Sequence, residues 1–192
     1  MRSPPVRRRL LLGLGLWAVL GWLGLGAAPA RAQGVELIQL QSGRSDGALT
    51  LEFAARVTLP KAVEDAMARG VPVYFVAQAT LRRDRWYWRD ERVARVSRSW
   101  RVVYQPLTSS WRVGLGGLNQ TYATLAEAMA AVTRSAGWRI AELSQLEPGK
   151  DYYIEFSWRL DTSQLPSPMQ IGLGGQADWA IGAERELPVE LP

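Results

Sequence analysis

Residues 49–59 read LTLEFAARVTL, and this stretch decides the fold class. Apolar residues at every second position alternate with mostly polar ones, which is the two-residue period of a strand with one buried face. The same period recurs at residues 93–104 and 152–160. Such alternation is typical of antiparallel sheets. The sequence therefore predicts a mainly β fold, an antiparallel β-sandwich of the Greek-key or immunoglobulin-like kind.

Two short helices are expected to interrupt the strands. Pro60 precedes a run of helix formers at 62–69, which favours a helix there. Thr124 and Glu127 form a capping box ahead of apolar residues at helical spacing, and Gly137 is expected to end this second helix. We also expect strands at 35–41, 73–81 and 111–115, a turn at 42–47 and a weak Gly-rich strand at 169–181.

Residues 146–152 read LEPGKDY and place a tyrosine just after a Pro-Gly turn, at the start of a strand. Fibronectin type III domains have a similar Leu-x-Pro-Gly-x-x-Tyr turn. The arrangement resembles the tyrosine corner of Greek-key sandwiches, in which the tyrosine hydroxyl bonds to the backbone a few residues upstream. This resemblance favours the same sandwich architecture.

Residues 1–32 have the three parts of a secretory signal peptide. Arginines precede an apolar run at 10–26, and Ala30-Arg31-Ala32 supplies the small residues of a cleavage site. We expect cleavage after Ala32 and a single β-sandwich domain at 33–192, exported to the periplasm or beyond. The alternative is an uncleaved membrane anchor, because about 17 apolar residues are borderline for a span.

Most of the net charge lies in that first segment. The chain has 23 Lys+Arg and 18 Asp+Glu, and residues 1–32 contain five of the arginines and none of the acids. Residues 33–192 therefore have 18 of each sign, which argues against a nucleic-acid partner. Because no apolar run after residue 32 is long enough to cross a bilayer, we expect no membrane span once the signal is cleaved.

Two residue types that catalysis often uses are absent, since the chain has no cysteine and no histidine. Zinc sites built from them, histidine bases and thiol nucleophiles are therefore excluded. Residues 172–177 spell a G-x-G-x-x-A dinucleotide motif, but the strand and helix that it needs are not predicted around it. We expect no metal, no cofactor and no catalytic residue.

Arginine and tryptophan concentrate at residues 82–101, which read RRDRWYWRDERVARVSRSWR. One hypothesis is a binding surface, because these residue types most often anchor interfaces. Its candidate residues are Arg85, Trp86, Trp88, Arg89 and Asp90. The alternative is a strand in unbroken phase, whose even-numbered residues, the tryptophans among them, face the core. The odd-numbered arginines Arg83, Arg85, Arg89, Arg95 and Arg101 would then be solvated.

Arg98 breaks this alternation, since its even number places it with the apolar residues. A buried arginine needs a partner, because an unpaired buried charge is strongly destabilising. We expect Arg98 to stack beside Trp100 or Val96 and to pair with an acid near the rim of the sandwich.

Six short motifs occur in order along the chain. They are GVPVYFV (70–76), RWYWRDE (85–91), YQPLT (104–108), GL (117–118), TLAE (124–127) and LPSP (165–168). Together they resemble the proteobacterial exported family catalogued as domain of unknown function 4390. The resemblance implies no established activity and carries over no catalytic residue. It also implies an envelope accessory role, since genes of the family often lie near one for a membrane sensor kinase of the nitrogen-regulation type.

The sequence leaves three functions open. The first is a non-enzymatic periplasmic binding or interaction module, whose partner is an envelope protein, in the sensor-kinase context, or an anionic envelope polymer. The second is a carboxylate-dependent hydrolase of an envelope glycan, which needs two acids about 5–9.5 Å apart in a cleft. The third is a purely structural assembly component whose aromatic residues belong to the core.

Overall fold

This computed structural model describes residues 34–85, 89–165 and 179–190, which contain nine strands and two short α-helices. The strands are β1 (Val35–Ser45), β2 (Ala48–Val57), β3 (Val73–Arg83), β4 (Glu91–Gln105), β5 (Ser110–Leu115), β6 (Leu118–Tyr122), β7 (Arg134–Glu142), β8 (Tyr152–Leu160) and β9 (Gly182–Val189). The helices are α1 (Lys61–Ala68) and α2 (Leu125–Val132).

The described strands form two antiparallel sheets. One has the order β1-β2-β7, and the other has the order β6-β5-β4-β3-β8-β9. The chain passes between the sheets after β2, β6 and β7. The predicted mainly β, antiparallel fold with two short helices is confirmed, and the two sheets pack as in a sandwich. Among the described residues, no helix has the length and apolarity that crossing a membrane requires.

Phe53 on β2 is the centre of the aromatic core. Its ring contacts those of Trp100, Trp138 and Phe156, with centroids 6.4, 6.3 and 4.9 Å apart. Such pairs stabilise by about 0.5–1.5 kcal/mol each beyond their burial. Because the partners come from β4, β7 and β8, one side chain joins both sheets.

The first hairpin is longer than the sequence suggested. Residues 42–45 were expected in a turn, but they belong to β1 and pair with β2 as far as Ser45 opposite Ala48. The loop is only Asp46 and Gly47, with φ of 51° and 73°. Positive φ at both positions is what a two-residue hairpin turn with the right-handed strand twist needs, and Asp-Gly suits it.

Both helix starts agree with the sequence. α1 begins one residue before the predicted range and buries Val63, Ala66 and Met67, which share one helical face. At α2 the capping box is present, because Thr124 Oγ1 accepts from the Glu127 backbone N–H at 3.2 Å and the Glu127 carboxylate accepts from the Thr124 backbone N–H.

The predicted end of α2 is wrong. The helix stops at Val132, and residues 134–142 form β7, which pairs with β2. Trp138 and Ile140 alternate on β7 and are buried, so the sheet position stabilises this segment more than further helix would. Gly137, with φ of 60°, lies in a bulge of β7 and does not end the helix.

The tyrosine-corner contact is present at the start of β8. The Tyr152 hydroxyl accepts a hydrogen bond from the Glu147 backbone N–H at 2.9 Å, across the turn that contains Gly149. Tyr152 is buried. The bond therefore fastens this turn to the end of the sandwich.

Besides β7, two more strands were not predicted. β6 follows a Gly116–Gly117 turn after β5, and β9 runs along β8. The weak strand expected at 169–181 lies outside the described residues as far as residue 178. At its end, Trp179 and Ile181 are buried, and Ile181 comes directly before β9.

A bulge near the start of β4 interrupts the alternation of inward-facing and outward-facing side chains. Leu81 lies opposite Ala94 but Arg82 lies opposite Arg92, so Val93 is the extra residue. After the bulge, even-numbered residues do face inward, and Trp100 is buried among them. The unbroken phase predicted for 82–101 is therefore wrong, because the bulge reverses the alternation at its start.

Candidate binding surface

The five candidate binding residues all belong to the connection between β3 and β4, residues 84–90. Arg85 and Asp90 come together there, because the Arg85 backbone N–H donates to Asp90 Oδ1 at 3.3 Å. Arg89 is exposed. Trp86 and Trp88 lie outside the described residues, so the orientation of these two tryptophans stays a prediction.

Glu91 holds two arginines at the base of this connection. Its carboxylate pairs with Arg83 and Arg85, and Arg83 also pairs with Glu147 at 2.5 Å. The hydrogen bond from Arg83 lowers the pKa of Glu91, and those to Glu147 and Glu91 raise the pKa of Arg83. The Arg83 side chain is only 15% exposed, so the prediction that it is solvated is wrong. A network of this kind stabilises more than an isolated surface pair.

Tyr153, which the sequence analysis did not single out, holds Asp90. Its hydroxyl donates to Asp90 Oδ2 at 2.5 Å from the neighbouring strand β8. This bond, followed by that from the Arg85 backbone N–H, lowers the pKa of Asp90. Burial and the carboxylate together raise the pKa of Tyr153 to about 12. The available signal was its position as an aromatic residue on the outward-facing side of an alternating strand.

Arg82, like Arg83 and Arg85, has a carboxylate partner. Its Nε lies 2.6 Å from Glu155 Oε1, and Glu155 raises the pKa of Arg82. The three arginines at the base of the connection, Arg82, Arg83 and Arg85, therefore all have carboxylate partners.

The arginines farther along the sheet are different. Arg92, Arg95 and Arg101 on β4, with Arg112 on β5, lie on the outer face of the six-stranded sheet and are exposed; we call these four residues the arginine face. Within the described parts of the chain, none of the four has an acid within ion-pair distance. Arg95 donates to Gln78 Oε1 at 2.6 Å, a neutral acceptor. The arginine face therefore has four positive charges that no described acid pairs with.

Arg98 lies on the inner side of β4, facing β7. It is partly buried, donates to Ser135 Oγ at 2.6 Å and stacks over Trp138 at 5.1 Å from the ring centroid. Burial lowers the pKa of Arg98. The expected acid partner is not found among the described residues, and the ring that it contacts is Trp138 and not Trp100. Sequence reasoning missed Trp138 because the second helix was expected to run to Gly137 and no strand was predicted after it.

The general acid of glycan hydrolysis has a raised pKa. Asp90, Glu91 and Asp161 have shifted pKa values among the described acids, and each is lowered. At Asp161, burial raises the pKa, but hydrogen bonds from Gln164 and Ser163 and the nearby Arg159 charge outweigh it. The described residues also contain no cluster of three acids that could hold a metal ion.

An open groove of about 610 Å³ lies away from these residues, between the edge strands β1 and β9. Leu40, Leu49 and Leu187 supply much of its apolar lining. Arg44 donates to the Glu190 carbonyl oxygen beside it. None of the candidate residues lines this groove.

The fold and the surface together define a cysteine-free antiparallel β-sandwich domain with a cationic sheet face. The family model described as Domain of unknown function (DUF4390) matches residues 32–187, and the chain belongs to this family. The resemblance drawn from the six motifs is thereby confirmed. Comparison with curated proteins and with solved structures gives no match.

Proposed function

We propose that this protein is a non-enzymatic, exported binding module that captures an anionic partner on its arginine face. One observation carries the proposal: Arg92, Arg95, Arg101 and Arg112 are exposed without a carboxylate partner among the described residues. Arg82, Arg83 and Arg85 have carboxylate partners, whereas these four arginines have none in the part of the chain that the structure describes.

The geometry of the arginine face suits an elongated anion. Arg95 and Arg101 are six residues apart on one strand, which separates them by about 20 Å at the usual rise. The exposed Ser97 and Ser99 lie between them and supply hydroxyl donors. Guanidinium groups bind carboxylate and phosphate oxygens through two parallel N–H donors. An acidic polymer or polypeptide of the envelope fits this spacing better than a small ion.

Export to the periplasm belongs to the proposal. The signal-peptide pattern of residues 1–32 supports it. An accessory role beside an envelope sensor kinase remains part of the same proposal, with the kinase or an anionic envelope polymer as partner.

The hydrolase alternative has less support, because Asp90 and Glu91 are both held ionised by hydrogen-bond donors. A purely structural role would leave the arginine face without a ligand. The binding experiment below separates that role from the proposal.

Fluorescently labelled poly-L-glutamate, measured by anisotropy at low salt, tests the proposal. An exposed ion pair with the polymer contributes about 0.2–1 kcal/mol. Because Arg92→Ser/Arg95→Ser removes two of them, it should weaken binding by about 2- to 30-fold. Added salt should weaken wild-type binding further, since it screens exposed charges.

The matched control removes the same charge from the other sheet. Arg56 and Arg139 are exposed and pair with Glu36 and Glu142, so Arg56→Ser/Arg139→Ser should change the affinity by less than twofold. Equal affinity of the two double variants, or no binding by the wild type, would show that the arginine face is not a binding surface.

A further inference from the structure

β4 has an open edge beside the arginine face. The strand has fifteen residues, but β5 pairs with it only from Trp100 to Gln105. Among the described residues, residues 91–99 pair with β3 on one side and with no strand on the other. Alternate residues along this stretch therefore present backbone N–H and C=O groups on the side away from β3, where another strand can pair with them.

The side chains along this stretch differ between its two faces. On the outer face, Arg92 and Arg95 are exposed. On the inner face, Ala94 and Val96 pack against the core but are only half-buried, whereas Trp100, where β5 begins to pair, is buried. A strand added along residues 91–99 would cover these two apolar side chains as β5 covers its own neighbours.

The charges decide which strand fits. Two copies of this edge, paired with each other, would place arginine near arginine, and like charges across a sheet are destabilising. Arg98 on the inner side adds to that repulsion. The same arginines attract a strand that carries carboxylates, so they reject a second β4 and favour an acidic segment.

We infer that residues 91–99 receive an extended acidic segment of a partner polypeptide as an additional strand. Acidic residues of the segment face Arg92 and Arg95, and its alternate apolar residues face Ala94 and Val96. This inference rests on the proposed function, since it names a polypeptide as the anionic partner. Strand addition to an exposed sheet edge is an established mode of peptide recognition, with backbone bonds for affinity and alternate side chains for specificity.

The test uses the acetylated, amidated nonamer EVEVEVEVE as probe, with two N-methylated forms. One form has methyl groups on the backbone nitrogens of every second glutamate, and the other has them on those of every second valine. Both forms keep all charges. In an added strand only one of these sets points its N–H groups toward β4. We therefore expect one methylated form to bind at least tenfold more weakly and the other to bind like the parent. Because the change is in the peptide, the protein fold is unaffected.

Other outcomes separate this inference from the proposed function. If both methylated forms bind like the parent while Arg92→Ser/Arg95→Ser weakens all three, charge alone captures the partner; the proposed function then stands and strand addition is wrong. If neither the peptide nor poly-L-glutamate binds, both are wrong. Slow hydrogen exchange in the free protein at those N–H groups of residues 93–99 that point away from β3 would mean that the edge is already covered by this chain or a second copy, which also overturns the inference.

Discussion

Trp158→Phe should lower the free energy of unfolding by about 3–5 kcal/mol. Trp158 on β8 is fully buried and stacks on Phe75, with ring centroids 5.1 Å apart. Its Nε1 donates to the Val132 carbonyl oxygen at 3.0 Å. Val132 ends α2, where carbonyl groups lack partners within the helix. The indole therefore caps the helix from the sheet.

The substitution acts in two ways. Phenylalanine lacks about three of the ring atoms, which at about 0.8 kcal/mol per buried carbon costs about 2 kcal/mol. It also leaves the Val132 carbonyl oxygen buried without a donor, at about 1–3 kcal/mol. For a domain of this size, a loss near 4 kcal/mol lowers the melting temperature by about 8–16 °C.

Urea unfolding followed by circular dichroism measures the change, with Trp111→Phe as control. Trp111 is also buried and packs on Tyr104 with centroids 5.0 Å apart, but its indole N–H has no hydrogen-bond partner among the described residues. The control should therefore lose only the packing part, about 2 kcal/mol. Equal losses in the two variants would refute the argument that Trp158 caps α2.

Three further changes have defined outcomes. Tyr152→Phe removes the acceptor of the Glu147 N–H and should cost about 1 kcal/mol in urea unfolding, and an unchanged midpoint would dismiss the corner bond as a stabilising contact. The hydrogen bond from Tyr153 lowers the pKa of Asp90, so the stability that this carboxylate adds is present above about pH 4 and lost as the pH falls through its lowered folded-state pKa. Asp90→Asn should therefore be less stable than wild type at pH 7, with a gap that narrows below pH 4, and a gap independent of pH would contradict this. Arg98→Met removes a partly buried charge with a pKa lowered by burial, so it should leave stability unchanged or raise it, and a loss of more than about 2 kcal/mol would show that the pairing outweighs desolvation.

The sequence predicted most of the elements whose signals are local. The alternation in β2 and β8 and the capping box of α2 depend only on neighbouring residues, and all three are present. The end of α2 could not be predicted in this way. Residues 134–136 are compatible with helix, and only the place that β2 offers to Trp138 makes them a strand.

The candidate site was predicted only in part. Sequence reasoning found the arginine-rich segment and, in Arg85 and Asp90, two residues that do come together. It missed the partners Tyr153 and Glu147, because both are more than fifty residues away along the chain.

By itself, the sequence determined the fold class, the absence of cysteine and histidine chemistry, and the concentration of arginine between β3 and β5. A two-residue period states which side of a strand a residue takes, but it does not state what lies opposite. Only the tertiary structure decided that Arg83 is neutralised while Arg92 and Arg101 have no acidic partner in the described parts of the chain, since the neutralising carboxylates come from distant segments and neighbouring strands. The same holds for the side of β4 along which no described strand pairs, because the short length of β5 becomes visible only when the strands are paired.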